Sequence, residues 1–224
     1  MSDAPGPLIA SGRSADIFDV GGGRVLRRDR TGPVSEHEIL AIEAARAGGL
    51  PVPQVFSVDG ADIVMERIDG RPMIAELERR PWAVRRLGRQ LGELHLALRS
   101  IAAPAGLRGE GPVLCHNDLH PGNVLLTDHG AVVIDWESAS RGEPDRDAAH
   151  MWLLAEAAEV DDVAPWLRPV LGAVRRQTVG AFLATTGRPS AATVVAVADA
   201  RLVDPNMREP ERAAIRAFVD RHGT

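Results

Sequence analysis

The chain has no lysine and no tyrosine; its 26 Lys+Arg residues are all arginine. Lysine nucleophiles, Schiff-base chemistry and tyrosine acid–base roles are therefore excluded, and any fixed cation in a site must be a guanidinium. One cysteine, Cys115, rules out an internal disulfide and fits a reducing cytoplasm. No apolar run approaches the roughly 18 residues that a bilayer span requires, so no membrane partner is expected. The opening "MSDAPGPLIA" lacks a basic region followed by an apolar core, so no secretory signal is expected. A net charge of −5 without a basic cluster argues against nucleic acid as a partner. What remains is an ordinary globular composition over 224 residues, enough for one large domain or two small lobes.

The first third reads as strands. "PLIASGR", "ADIFDVG" and "GRVLRRD" are short and glycine-separated, as in an antiparallel meander. "SEHEILAIEAARAGG" reads as a helix, with Ser35 as N-cap, Glu38 completing a capping box and Gly48-Gly49 ending it. "PQVFSVDGADIVMER" reads as two strands around Asp59-Gly60. Beyond "RIDGRP" the period becomes helical: Val84, Leu87, Leu91, Leu94, Leu98 and Ile101 form one apolar stripe, with His95 as a flank residue beside it. Residues 124–135 read as a hairpin, and helices are expected over 144–159, 166–184, 190–203 and 208–222. Trp152 and Trp166 are expected in the core.

Chemistry concentrates in "CHNDLHPGNVLL", residues 115–126, and in "AVVIDW", which ends on a second aspartate, Asp135. Pro121 and Gly122 force the loop to turn between Asp118 and Asn123. The hairpin then returns Asp135 to the loop. A carboxylate beside a hydroxyl can orient it and accept its proton. An amide oxygen and a second carboxylate suit octahedral magnesium carrying phosphate oxygens. The same residues leave a metal-dependent hydrolase open, with His116, Asp118 and His120 presented to zinc and Asp135 or His150 completing the site. A catalytically weak nucleotide-binding protein, or a small protein kinase, are further readings.

"HNDLHPGN" followed by "VIDWE" resembles the catalytic core of the aminoglycoside phosphotransferase and choline kinase family, relatives of protein kinases. "ASGRSADIF", "GRVLRR", "EILAIEAARAGGLPVPQV", "IVMERIDGRP" and "GEPDRDAA" resemble further segments of that family, in order, across residues 8–150. The resemblance implies an α+β, two-lobed protein-kinase-like fold: an N-lobe over 1–64, a hinge over 65–71 and a mostly helical C-lobe over 72–224. It implies ATP and Mg2+ as cofactors and a small-molecule hydroxyl as acceptor. Asp118 becomes the catalytic base, and Asn123 and Asp135 the metal ligands. Gly12, Ser14, Val25, Arg27, Glu38, Met65, Glu66 and Arg67 become the ATP-binding set, while His116, His120 and Asp147 support the site. Arg27 stands where the family usually has lysine. The acceptor-selecting surface is expected from the helices after residue 144, where no acceptor motif is recognisable. The acidic stretch with Glu156, Glu159, Asp161 and Asp162 could attract a cationic acceptor, although a solvated helix end explains it as readily.

Overall fold

The computed structural model describes residues 5–12, 14–157, 166, 168–203 and 207–224; Arg13, Glu159, Asp161 and Asp162 lie outside them. Strands β1 (Leu8–Ser11), β2 (Ala15–Gly21) and β3 (Arg24–Asp29) form the expected meander. Its second turn uses Gly21, Gly22 and Gly23 at φ of 76°, 61° and 71°, a left-handed run that side chains resist. Helix α1 (Glu36–Ala47) follows, then β4 (Val55–Asp59) and β5 (Asp62–Glu66). The five strands make one antiparallel sheet in the order β1-β2-β3-β5-β4.

Helix α1 begins where Ser35 accepts a hydrogen bond from the His37 N–H at 3.3 Å. The Glu38 side chain does not close a capping box. Glu38, Ala41, Ile42 and Ala45 share the buried face, and the carboxylate is spent on an inward ion pair instead.

The helical part starts with a short strand β6 (Arg71–Pro72), α2 (Met73–Arg79) and α3 (Val84–Leu98). Between α3 and the later helices lie β7 (Val113–Cys115), the hairpin β8 (Val124–Thr127) and β9 (Gly130–Val133), and β10 (Ser140–Gly142). Strand β10 pairs with β7, and β6 with β8. Helices α4 (Arg146–Ala157), α5 (Arg168–Thr186), α6 (Ala191–Leu202) and α7 (Glu209–His222) complete the α+β fold. None of the helices among the described residues is long and apolar enough to cross a membrane.

The apolar stripe of α3 is buried as expected, and Ile101 is buried too, although it lies past the helix end. His95 is no flank residue. It is buried, its Nε2 lies 3.1 Å from the Leu119 carbonyl, and its ring meets Phe182 edge-on. Burial depresses its pKa to about 3, so it stays neutral and fixes the loop ahead of the hairpin. Trp152 packs on Phe218, but Trp166 is 75% exposed. Residue 166 falls before the first turn of α5, so the helical period assumed for it does not apply. Gly88 and Gly92 let α3 meet α5 closely, since a Cβ at Gly88 would stand 2.5 Å from the Thr178 carbonyl oxygen. A second apolar cluster, including Trp152, Val197, Ile215 and Phe218, ties α4 to α6 and α7.

Candidate active site

The loop 116–123 is built from backbone hydrogen bonds made by its own side chains. His116 is fully buried; its Nε2 lies 3.0 Å from the Ile134 carbonyl oxygen, and its Nδ1 accepts from the Asp118 N–H at 3.3 Å. Burial lowers its pKa, so the ring remains a neutral brace between the two limbs of the site. His120 Nδ1 accepts from the Gly122 N–H at 2.9 Å, while Nε2 lies 3.6 Å from Asp118 Oδ2. Asn123 closes the loop, its amide nitrogen donating to the Asp118 carbonyl at 2.9 Å and to Asp118 Oδ2 at 3.1 Å. Its amide oxygen accepts no hydrogen bond from the described residues.

Asp118 and Asp135 are driven apart in acidity. Burial raises the Asp118 carboxyl, but its contact with His120 and the imidazoles of His150 and His116 hold it below the usual carboxylate range. Asp135 is pushed up by lost solvation and by the charge of Asp118, with Arg27 opposing from across the site. Asp135 itself is exposed to solvent. An ionised carboxylate beside a second acid with excess negative field is a donor set that suits a hard cation.

Asp147, at the first turn of α4, anchors the loop from behind. Its carboxylate accepts the His116 N–H at 2.9 Å and the Asn117 N–H at 2.6 Å. Asn117 sits at φ 62°, a region Asn tolerates better than most residues. Its amide nitrogen donates to the Ser138 carbonyl at 2.9 Å and to Ser140 Oγ at 2.8 Å, and its oxygen accepts from Arg146 Nε at 2.6 Å. Neither Asn117 nor Arg146 was singled out from sequence; the only signal was an Asn wedged between His116 and Asp118. Asp147→Ala is expected to cost about 2–4 kcal/mol, because two buried N–H groups lose their acceptor at roughly 1–3 kcal/mol each while the carboxylate's own desolvation is relieved. A urea midpoint within error of the parent's would refute this anchoring.

On the sheet side, Arg27 forks onto Glu38 with Nη1 to Oε1 at 2.5 Å and Nη2 to Oε2 at 2.7 Å. Nη2 also donates to Asp29 Oδ2 at 3.2 Å, a partner the sequence did not suggest. Arg28 points the other way and pairs with Asp62 at 2.6 Å, half exposed. Val25 is buried opposite Met65. The N–H groups of Glu66 and Arg67 donate to the Gln54 and Gly23 carbonyls at 2.8 and 2.9 Å, and the Arg67 side chain pairs with Asp19 and Asp69. The Gly12 N–H donates to the Ala15 carbonyl at 2.8 Å, and the Ser14 carbonyl accepts from the Arg30 N–H at 2.8 Å.

The zinc arrangement is not assembled. Both His116 ring nitrogens face backbone groups, and among the described residues no cluster of three or more His, Cys, Asp or Glu is placed to hold a metal ion. A magnesium ion, which needs only one or two protein oxygens beside phosphate and water, fits Asn123 and Asp135.

A family model described as the phosphotransferase enzyme family (APH) matches residues 6–110 and 98–178, a span holding the sheet, the loop and Asp135. The chain belongs to the phosphotransferase enzyme family. A probable bifunctional tRNA threonylcarbamoyladenosine biosynthesis protein of Methanoculleus marisnigri is 29% identical over 146 residues, 59% of this chain. The chain spans only 24% of that relative's length. A thermostable mutant of aminoglycoside phosphotransferase APH(4)-Ia has the same fold, with a TM-score of 0.64 at 17% identity over 97% of this chain and 95% of its own. A choline/ethanolamine kinase family protein from Mesorhizobium loti gives 0.61 at 18% identity, covering 96% and 86%.

Proposed function

We propose that this protein transfers the γ-phosphoryl group of ATP, with Mg2+, to a hydroxyl of a small molecule. The observation that carries the reading is the gathering of Asp118, Asn123 and Asp135 on one loop and hairpin, facing the Arg27–Glu38 pair. Asp118 is the base: ionised and partly buried, it orients the acceptor hydroxyl and takes its proton. The Asn123 oxygen and Asp135 are the ligands for magnesium, which when bound neutralises the phosphate oxygens. Arg27, held by Glu38 and Asp29, meets the phosphates, and the turn at Gly12 and Ser14 covers them. Val25 roofs the adenine. Since the Glu66 and Arg67 N–H groups are already donated, the segment from Met65 to Arg67 offers the base mainly carbonyl oxygens. His116, His120 and Asp147 hold the loop. In this reading residues 1–64 form the nucleotide-covering lobe, 65–71 the hinge and 72–224 the catalytic lobe, and the buried, inert Cys115 suits a reducing cytoplasm.

The reading is tested by acceptor-stimulated ADP release from Mg-ATP across hydroxylated metabolites and antibiotics. Its metal part is tested apart from turnover. Mg-ATP should raise the thermal midpoint of the parent; Asp135→Ala should abolish that gain and Asn123→Ala should weaken it, since bound ligand stabilises only through sites that hold it. Equal protection of both variants would place the cation elsewhere.

A further inference from the structure

We infer that the cleft between the catalytic loop, α4 and α6 is an oxyanion subsite, so that the acceptor is an alcohol carrying a carboxylate or phosphate. The inference deepens the phosphotransferase reading and rests on it. The cleft has a volume of about 210 Å³ and is lined by Asn117, Arg146, His150, Val197, Ala200 and Arg201. Two of these are guanidinium-bearing, and no carboxylate is among the described lining residues. Arg146 and His150 are one turn apart on α4; Val197, Ala200 and Arg201 share one face of α6. The two helices therefore present their polar ends to a common space over an apolar floor.

The polar groups there are left short of partners. His150 Nδ1 and Arg201 Nε are buried with no hydrogen-bond partner, a condition native structures rarely leave without a ligand or water. Among the described residues Arg201 reaches Glu211, at 3.5 Å, and Arg146 donates its Nε to Asn117 with no carboxylate within ion-pair distance. His150 is depressed to about 4, by burial first and then by Arg201, so it contributes a neutral ring beside two permanent cations. Two guanidinium groups and an imidazole lining one cleft supply the hydrogen-bond donors that carboxylate or phosphate oxygens accept. A cationic acceptor would meet two like charges here.

The cleft borders the catalytic loop through Asn117. Asn117 directly precedes Asp118, and His150, which also lines the cleft, interacts electrostatically with Asp118. An anion seated on Arg201 and His150 would hold its neighbouring hydroxyl toward Asp118. Of the acidic stretch, Glu156 pairs with Arg221 at 3.6 Å, and Glu159, Asp161 and Asp162 lie outside the described residues.

The test uses glycerate and glycerol 3-phosphate as anionic alcohols, with glycerol and choline as neutral and cationic controls. Binding is followed by calorimetry without ATP, and turnover by ADP release with Mg-ATP. The parent should bind at least one anion, and glycerate against glycerol 3-phosphate decides between carboxylate and phosphate. Arg201→Ala should weaken that binding and raise the acceptor KM at least tenfold, with kcat and the ATP KM changed less; Arg201→Lys should restore part of the affinity. Thermal midpoints check that each variant folds. No anion binding by the parent, or turnover with choline or glycerol but not with the anions, overturns the inference. Arg201-dependent anion binding with no ADP release for any acceptor supports the subsite and instead overturns the phosphotransferase reading.

Discussion

Asp118→Asn is expected to lower phosphotransfer by about two to four orders of magnitude, the loss typical when a positioned general base is removed. Asparagine has the shape of aspartate, and its oxygen can still accept the Asn123 amide hydrogen bond seen at 3.1 Å. The loop, anchored independently through Asp147 and His116, should therefore stay in place, and thermal midpoint and nucleotide binding should match the parent. What is lost is the proton acceptor. The surrounding imidazoles hold the Asp118 carboxyl below its ordinary value, so it is ionised throughout the neutral range and rate falls only on acidification through that lowered pKa. Single-turnover ADP release with a competent acceptor measures the effect; parent-like turnover would remove Asp118 from the mechanism.

Arg27→Ala should be the costliest change to stability. Glu38 is 1% exposed and its partner Arg27 14%, so removing the guanidinium strands a buried carboxylate, at about 3–5 kcal/mol. Turnover should fall at least tenfold as well, about 1.4 kcal/mol of transition-state stabilisation. The two effects separate in the Arg27→Ala, Glu38→Gln double variant, which should regain stability in urea without regaining turnover. Arg27→Lys keeps the charge and should retain measurable activity, but it cannot span Glu38 and Asp29 together. Arg28→Ala should do little, because its pair with Asp62 is exposed. If Arg28 proved essential and Arg27 dispensable, the phosphate clamp would lie on the opposite face of β3.

Local signals carried much of this molecule. The glycine turn, the N-cap of α1, the 3.6-residue stripe of α3 and the hairpin after Asn123 are each written in a short window, while Asp118, Asn123 and Asp135 drew attention by residue type and took their proposed roles from the family resemblance. What escaped reading are relations across the chain. Ser35 with Glu38 satisfies a capping box in sequence, yet the buried Arg27 claims the carboxylate. His95 sits at the margin of a helical stripe, and only the loop carrying Leu119 shows why it is buried. The acceptor cleft was invisible for the same reason: Arg146 and Arg201 become neighbours only when α4 docks on α6 through the cluster around Trp152 and Val197.

The two walls of that cleft are unequal in their freedom to change. Helix α4 carries Arg146 and His150 on the same turns as Asp147, and Arg146 also grips Asn117, so substitutions there pull on the loop that carries Asp118. Helix α6 lends Val197, Ala200 and Arg201 with no hydrogen bond to that loop among the described residues. Altered acceptor preference should therefore evolve, or be engineered, through α6, where a new side chain reshapes the pocket while the phosphoryl-transfer apparatus is left undisturbed.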